Sequence, residues 1–87
     1  MGYPVLPDAS LVNNLGYSAL HLKQFEFAGQ LFALNVLNYP KDANLQDSYG
    51  DYYEAIGDKQ NAIERYKKAL AIKEIVETRT KLNALIR

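Results

Sequence analysis

Apolar positions fall along this chain in blocks with helical spacing, separated by short polar or proline-bearing breaks. Leu11, Val12, Leu15, Ala19, Leu20 and Leu22 recur at near-helical intervals after an N-cap supplied by Asp8 or Ser10, and Lys23-Gln24 closes the block as a short turn. A second block, about 25–38, is apolar around almost its whole circumference and stops at Tyr39-Pro40, because proline cannot continue the backbone hydrogen bonding. Asn44 caps a third helix over about 44–56, Gly57-Asp58 is a turn dipeptide, and a fourth helix follows over about 59–73. Leu82, Leu85 and Ile86 form one stripe within Thr78–Arg87 and predict a fifth helix. Before the first block, Pro4 and Pro7 favour an extended lead-in. The pattern is all-α.

The blocks repeat. Gly16 returns as Gly50, Ala28 as Ala62 and Phe32 as Tyr66, each 34 positions on. Two antiparallel helices approach closely only where side chains are small, so Gly16 is expected to face Ala28 and Gly50 to face Ala62, with Phe32 and Tyr66 filling the wider space one turn further along. Glycine inside a helix costs about 1 kcal/mol relative to alanine, so its return at the same phase points to packing. Leu-Gly, Ala, an aromatic and Pro at these offsets resemble the tetratricopeptide pattern. The resemblance covers about 9–76 and implies two antiparallel hairpins, 9–42 and 43–76, stacked in a right-handed superhelical sense, after a lead-in 1–8. Residues 77–87 then make a capping helix with one polar side, as a terminal unit of a stack requires. Ala84 stands where a third unit would place its small residue, and Glu74 where the pattern prefers proline. In the first hairpin Gln24-Phe25 replaces the expected turn glycine, and Ala19 the expected tyrosine.

At 87 residues and 48% hydrophobic, the chain has room for one small domain with a thin core. Ten Lys plus Arg balance ten Asp plus Glu, so no bulk attraction to nucleic acid or anionic membrane is expected. Without cysteine there are no disulfides or thiolate metal sites, which leaves the compartment open. No run approaches the roughly 20 apolar residues of a membrane span, and residues 1–10 lack the features of a signal peptide. His21 is the single histidine, and its neighbours Leu20, Leu22 and Lys23 provide no catalytic or metal-binding partner. Ser10, Ser18 and Ser48 lie in no Gly-x-Ser-x-Gly elbow, and no glycine-rich phosphate loop is present. With no such motif, neither catalysis nor a cofactor is expected, and the tetratricopeptide resemblance implies a binding scaffold.

Asp47, Asp51, Glu54 and Asp58 lie at i, i+4, i+7 and i+11 on the third helix, and five cations against Glu64 make the fourth helix basic. Like charges at i, i+4 disfavour a helix by roughly 0.2–0.5 kcal/mol each, so the acidic stripe is a solvated face, a surface kept for a basic partner, or less simply a metal site. In tetratricopeptide proteins the first helix of each unit lines a concave groove. That resemblance implies groove positions at Asn13, Tyr17, Leu20 and His21, then Asp47, Asp51 and Glu54, then Lys81. With aspartates in the second unit, a basic or neutral peptide is the expected ligand, and the acidic tails taken by chaperone-binding relatives are disfavoured.

Aligning the units exposes a second surface. Phe27, Leu31 and Leu34 match Asn61, Arg65 and Lys68, which makes an apolar stripe on a face that should be solvated. Either the lead-in, with Tyr3, Val5 and Leu6, folds back over it, or it is an interface with a partner domain or a second copy. The runs Leu15-Gly16-Tyr17, Leu34-Asn35-Val36, Tyr39-Pro40, Asp47-Ser48-Tyr49-Gly50 and Gly57-Asp58-Lys59 are similar to the C-terminal repeat pair of bacterial serine hydrolases, the α/β-hydrolase esterases and beta-lactamase-like enzymes. That resemblance implies an accessory domain tethered to a hydrolase whose catalytic residues lie outside this chain.

Overall fold

Three aspartates set where helices begin. In the computed structural model, which describes residues 6–87, the helices are α1 (Ala9–His21), α2 (Phe25–Asn38), α3 (Ala43–Ala55), α4 (Lys59–Ile72) and α5 (Val76–Leu85). The carboxylates of Asp8, Asp42 and Asp58 accept from the amides of Leu11, of Asn44 and Leu45, and of Asn61, satisfying donors that the first helical turn leaves open. Asp8 and Asp42 stand one repeat apart, so the cap belongs to the unit. The cap of α3 is therefore Asp42, one residue before the helix, and the expected cap Asn44 lies inside the first turn. Asp42 wins because its extended backbone aims the carboxylate back at the amides.

The hairpin turns also repeat. Gly57 takes φ +82° and Lys23, one repeat earlier, takes φ +60°. Glycine adopts this left-handed conformation freely, whereas a side chain there costs roughly 1–2 kcal/mol. The missing turn glycine of the first hairpin is thus Lys23, not the Gln24-Phe25 pair.

Packing corrects the expected glycine contacts. A Cβ on Gly16 would lie 2.8 Å from the Phe32 ring, and one on Gly50 would lie 2.5 Å from the Tyr66 ring. Each glycine receives the aromatic ring of its own hairpin, while Ala28 and Ala62 are fully buried beside those rings. The first core gathers Ala19, Ala28 and Phe32 with Tyr17, Leu20, Tyr49 and Tyr52, so it already takes aromatic residues from α3. The second gathers Ala62, Tyr66 and Leu82 with Tyr53, Ile63, Leu70 and Leu85. At the seam, Gly29 leaves room for Tyr52, whose hydroxyl would be 2.6 Å from an added Cβ.

Each helix packs on the next, α1 on α2, α2 on α3, α3 on α4 and α4 on α5, which makes two stacked hairpins and a closing helix. In α5 the buried stripe is Thr78 and Leu82 with Leu85 beside them. Ile86, expected on that stripe, falls past the helix end and is 54% exposed. Ala84 is exposed as well, because no further helix packs against it among the described residues. The linker before α5 is clasped from outside: Arg79 donates from Nε and Nη2 to the two carboxylate oxygens of Glu74, at 3.0 and 2.7 Å.

Candidate functional site

The first helices of successive units stack so that residues 34 apart touch. Tyr17 on α1 donates its hydroxyl to Asp51 on α3 at 2.7 Å. Lys81 on α5 donates to Asp47 at 3.0 Å and to both oxygens of Asp51 at 3.0 and 3.2 Å. Thr78 donates to the other oxygen of Asp47 at 2.6 Å, and the Tyr66 hydroxyl reaches Asp51 at 2.6 Å and Glu54 at 2.9 Å. One polar network thus ties α1, α3, α4 and α5 together around Asp51.

The four stripe carboxylates are consequently occupied from within the chain. Asp58 caps α4, Asp47 and Asp51 share Lys81, and Glu54 shares with Asp51 the single proton of the Tyr66 hydroxyl. A cleft of about 390 Å³ remains between Asp51, Glu54, Ala55 and Lys81, but a basic peptide entering it would have to displace an ammonium that already bridges both aspartates. Of the remaining expected groove residues, His21 is exposed, Leu20 packs on the first core, and Asn13 is half-buried with its Oδ1 unpaired among the described residues. No cluster of three His, Cys, Asp or Glu side chains could hold a metal ion among the described residues, and no described helix is long and apolar enough to cross a membrane.

The network moves its own proton equilibria. Burial first, and then the carboxylate of Asp51, push the Tyr17 and Tyr66 hydroxyls well above the ordinary phenol range. Burial opposes the charge on Lys81, but its hydrogen bonds to Asp51 and Asp47 outweigh that cost and raise it. Burial and the Tyr53 hydroxyl lift Tyr49 to about 12. All of these folded-state values lie above the unfolded ones, so the stability they contribute is complete below about pH 10 and is lost as pH climbs past it. Alkaline titration is therefore expected to melt the helices and release tyrosinate together above about pH 10. Circular dichroism and tyrosinate absorbance followed on one sample check this, and the full signal of all seven tyrosines reached while the helices persist would contradict it.

The second surface lies on α2. Phe27 is 51%, Leu34 37% and Leu37 76% exposed, with Leu31 half-buried between them. Tyr3 and Val5, expected to fold back over this stripe, lie outside the described residues, and Leu6 is itself 48% exposed. The described end of the lead-in meets α2 at Tyr39, whose hydroxyl donates to the Pro7 carbonyl at 2.8 Å. At 1.5 Å per residue, that contact lies about 18 Å along the helix from Phe27.

Leu37 also lines a cleft between α2, α3 and α4 that measures about 510 Å³, together with Ala33, Val36, Tyr49, Arg65 and Lys68, with Pro40 and Gln46 at its end. Arg65 is held over the Tyr49 ring at 4.8 Å and donates to Gln46 Oε1 at 3.2 Å. Sequence reasoning missed Leu37 and this cleft, because α2 is apolar on nearly all sides and its pattern does not say which side stays bare.

It also missed the Tyr66 hydroxyl, although a signal existed. Where the second unit has Tyr66 with Asp51 and Glu54, the first has Phe32 with Tyr17 and Leu20, so the hydroxyl and its two acceptors appear together. No family model matches this chain, and no curated protein matches it significantly.

Proposed function

We propose that this chain is a tetratricopeptide-type protein-interaction module that docks a protein partner on the α2 face of its first hairpin. The observation that carries the reading is the exposure of Phe27, Leu34 and Leu37 at positions where the second unit has Asn61, Lys68 and Ala71. Contiguous apolar surface on a folded chain costs solvation free energy, and covering it with a partner recovers roughly 25 cal/mol per Å². The α1–α3–α5 face supports docking less well, since its carboxylates are engaged within the fold.

The accessory-domain reading has its own support. Leu11, Leu15 and Leu22 are exposed along the outer side of α1, whereas Leu45, which aligns with Leu11, is buried. An apolar first helix of this kind suits a neighbouring domain, such as the hydrolase domain implied by the repeat-pair resemblance.

Changing Phe27 and Leu37 together to arginine tests the first reading. Both side chains are more than half exposed, so the double variant is expected to keep its helicity and melt within a few degrees of the parent. Light scattering and binding measurements on the two proteins should show that association made by the parent is lost. Association unchanged by the double substitution would remove the α2 face from contention.

A further inference from the structure

We infer that the partner seated on this face presents an acidic, amphipathic segment, with apolar side chains entering the cleft between α2, α3 and α4 and carboxylates meeting its rim. The inference rests on the reading of α2 as a docking surface and assigns the chemistry of the occupant. The floor is apolar, from Ala33, Val36, Leu37 and the Tyr49 ring, and the open wall carries Arg65 and Lys68.

A second cleft of about 550 Å³ adjoins it at Pro40 and adds Lys41 and Lys73. The lining of the two clefts sets one carboxylate, Asp42, against these four cations. Asp42 is committed to the cap of α3, and Glu64 sits 3.9 Å from Lys68 in a pair that is more than half exposed on both sides and hence weak. Lys41 and Lys73 make no ion pair among the described residues.

Arg65 is the best-organised of the four. Tyr49 and Gln46 hold its guanidinium in one pose, and only one of its five N–H donors is spent on Gln46. A carboxylate arriving there finds fixed donors and loses little side-chain freedom.

Charge also argues against a second copy as the occupant. A two-fold interface through this face sets the same patch against itself and brings both sets of cations together, which costs free energy that the apolar floor must offset. Asp47 and Asp51 are thus engaged with Lys81 within the fold, while Lys41 and Lys73 line the clefts without an ion pair among the described residues.

Two synthetic helical peptides test the assignment, each with leucines at i, i+4 and i+7, one flanked by glutamates and one by lysines. The full chain is expected to bind the glutamate peptide at least about tenfold more tightly than the lysine peptide, with affinity falling as salt rises. Lys41→Glu with Lys68→Glu should weaken the glutamate peptide by about tenfold, since each exposed charge contributes a few-fold, without loss of helicity. Leu37→Ser should weaken it as well.

Equal binding of both peptides, lost in Leu37→Ser, would overturn the acidic assignment and leave the docking face standing. Binding of neither peptide would overturn the inference outright, and the Phe27 and Leu37 double variant would then decide the α2 face separately. Concentration-dependent dimerisation abolished by Leu37→Ser, with no peptide bound, would give the face to a second copy and equally overturn it.

Discussion

Asp51→Ala is expected to lose about 2–4 kcal/mol of folding free energy, below the range for a fully buried charged network because this one is only part-buried. The side chain accepts from Tyr17, Tyr66 and Lys81, and among the described residues no other links α1, α4 and α5 at once. Without it, the hydroxyl of the fully buried Tyr66 keeps only Glu54, Tyr17 loses its acceptor, and Lys81 keeps only Asp47. Stabilities run at about 0.05–0.15 kcal/mol per residue, and a domain this small lies toward the low end, so the loss is a large part of the total. Tyr17→Phe, which leaves the carboxylate its other two partners, should cost only about 1 kcal/mol. Urea denaturation of both variants reads the difference. Similar small losses for the two would mean that Asp51 is merely solvated and that the network does not hold the units together.

The second large effect reverses an ordinary rule. Glycine to alanine inside a helix normally stabilises by about 1 kcal/mol, yet Gly50→Ala is expected to destabilise by about 1–3 kcal/mol. The new methyl would meet the Tyr66 ring at 2.5 Å. That ring cannot step aside, because it is fully buried and its hydroxyl is held by Asp51 and Glu54. Gly16→Ala should cost less. There the contact is 2.8 Å and Phe32 has no hydroxyl to pin it. Thermal and urea melts of the pair give the order directly. A neutral or stabilised Gly50→Ala would mean that the ring has room to shift and that the repeated glycine is not a packing requirement.

Both effects depend on correspondences already present in the residues. Glycine and aromatic return one repeat apart because each hairpin needs a bare helix surface under a ring; the recurrence was legible without coordinates, but the ring as the glycine's partner was not. The cap was misplaced: Asn44 was expected to cap α3, but Asp42, two residues earlier, holds the amides, a matter of backbone direction at a single residue. The turn was misassigned by one position for a similar reason, since left-handed φ at Lys23 leaves no mark on its side chain.

Of the anticipated groove, Tyr17, Asp47, Asp51, Glu54 and Lys81 do come together, but as partners of one another. A charge pattern read along one helix cannot reveal that. The acidic stripe looked unsatisfied because its donors lie 12 to 34 residues away, on helices whose stacking was not yet known.

The amino-acid sequence alone determined the helices, their pairing into two units and the small residues at which helices come close, since these follow from local periodicity and from residues that recur at one spacing. Only the tertiary structure decided which charges are spent inside the fold and that Leu37 stays bare beside the expected Phe27 and Leu34. Those outcomes depend on distances between helices. Asp51 is neutralised by whatever stacking brings within 3 Å, and Leu37 remains exposed because, among the described residues, nothing is stacked over it.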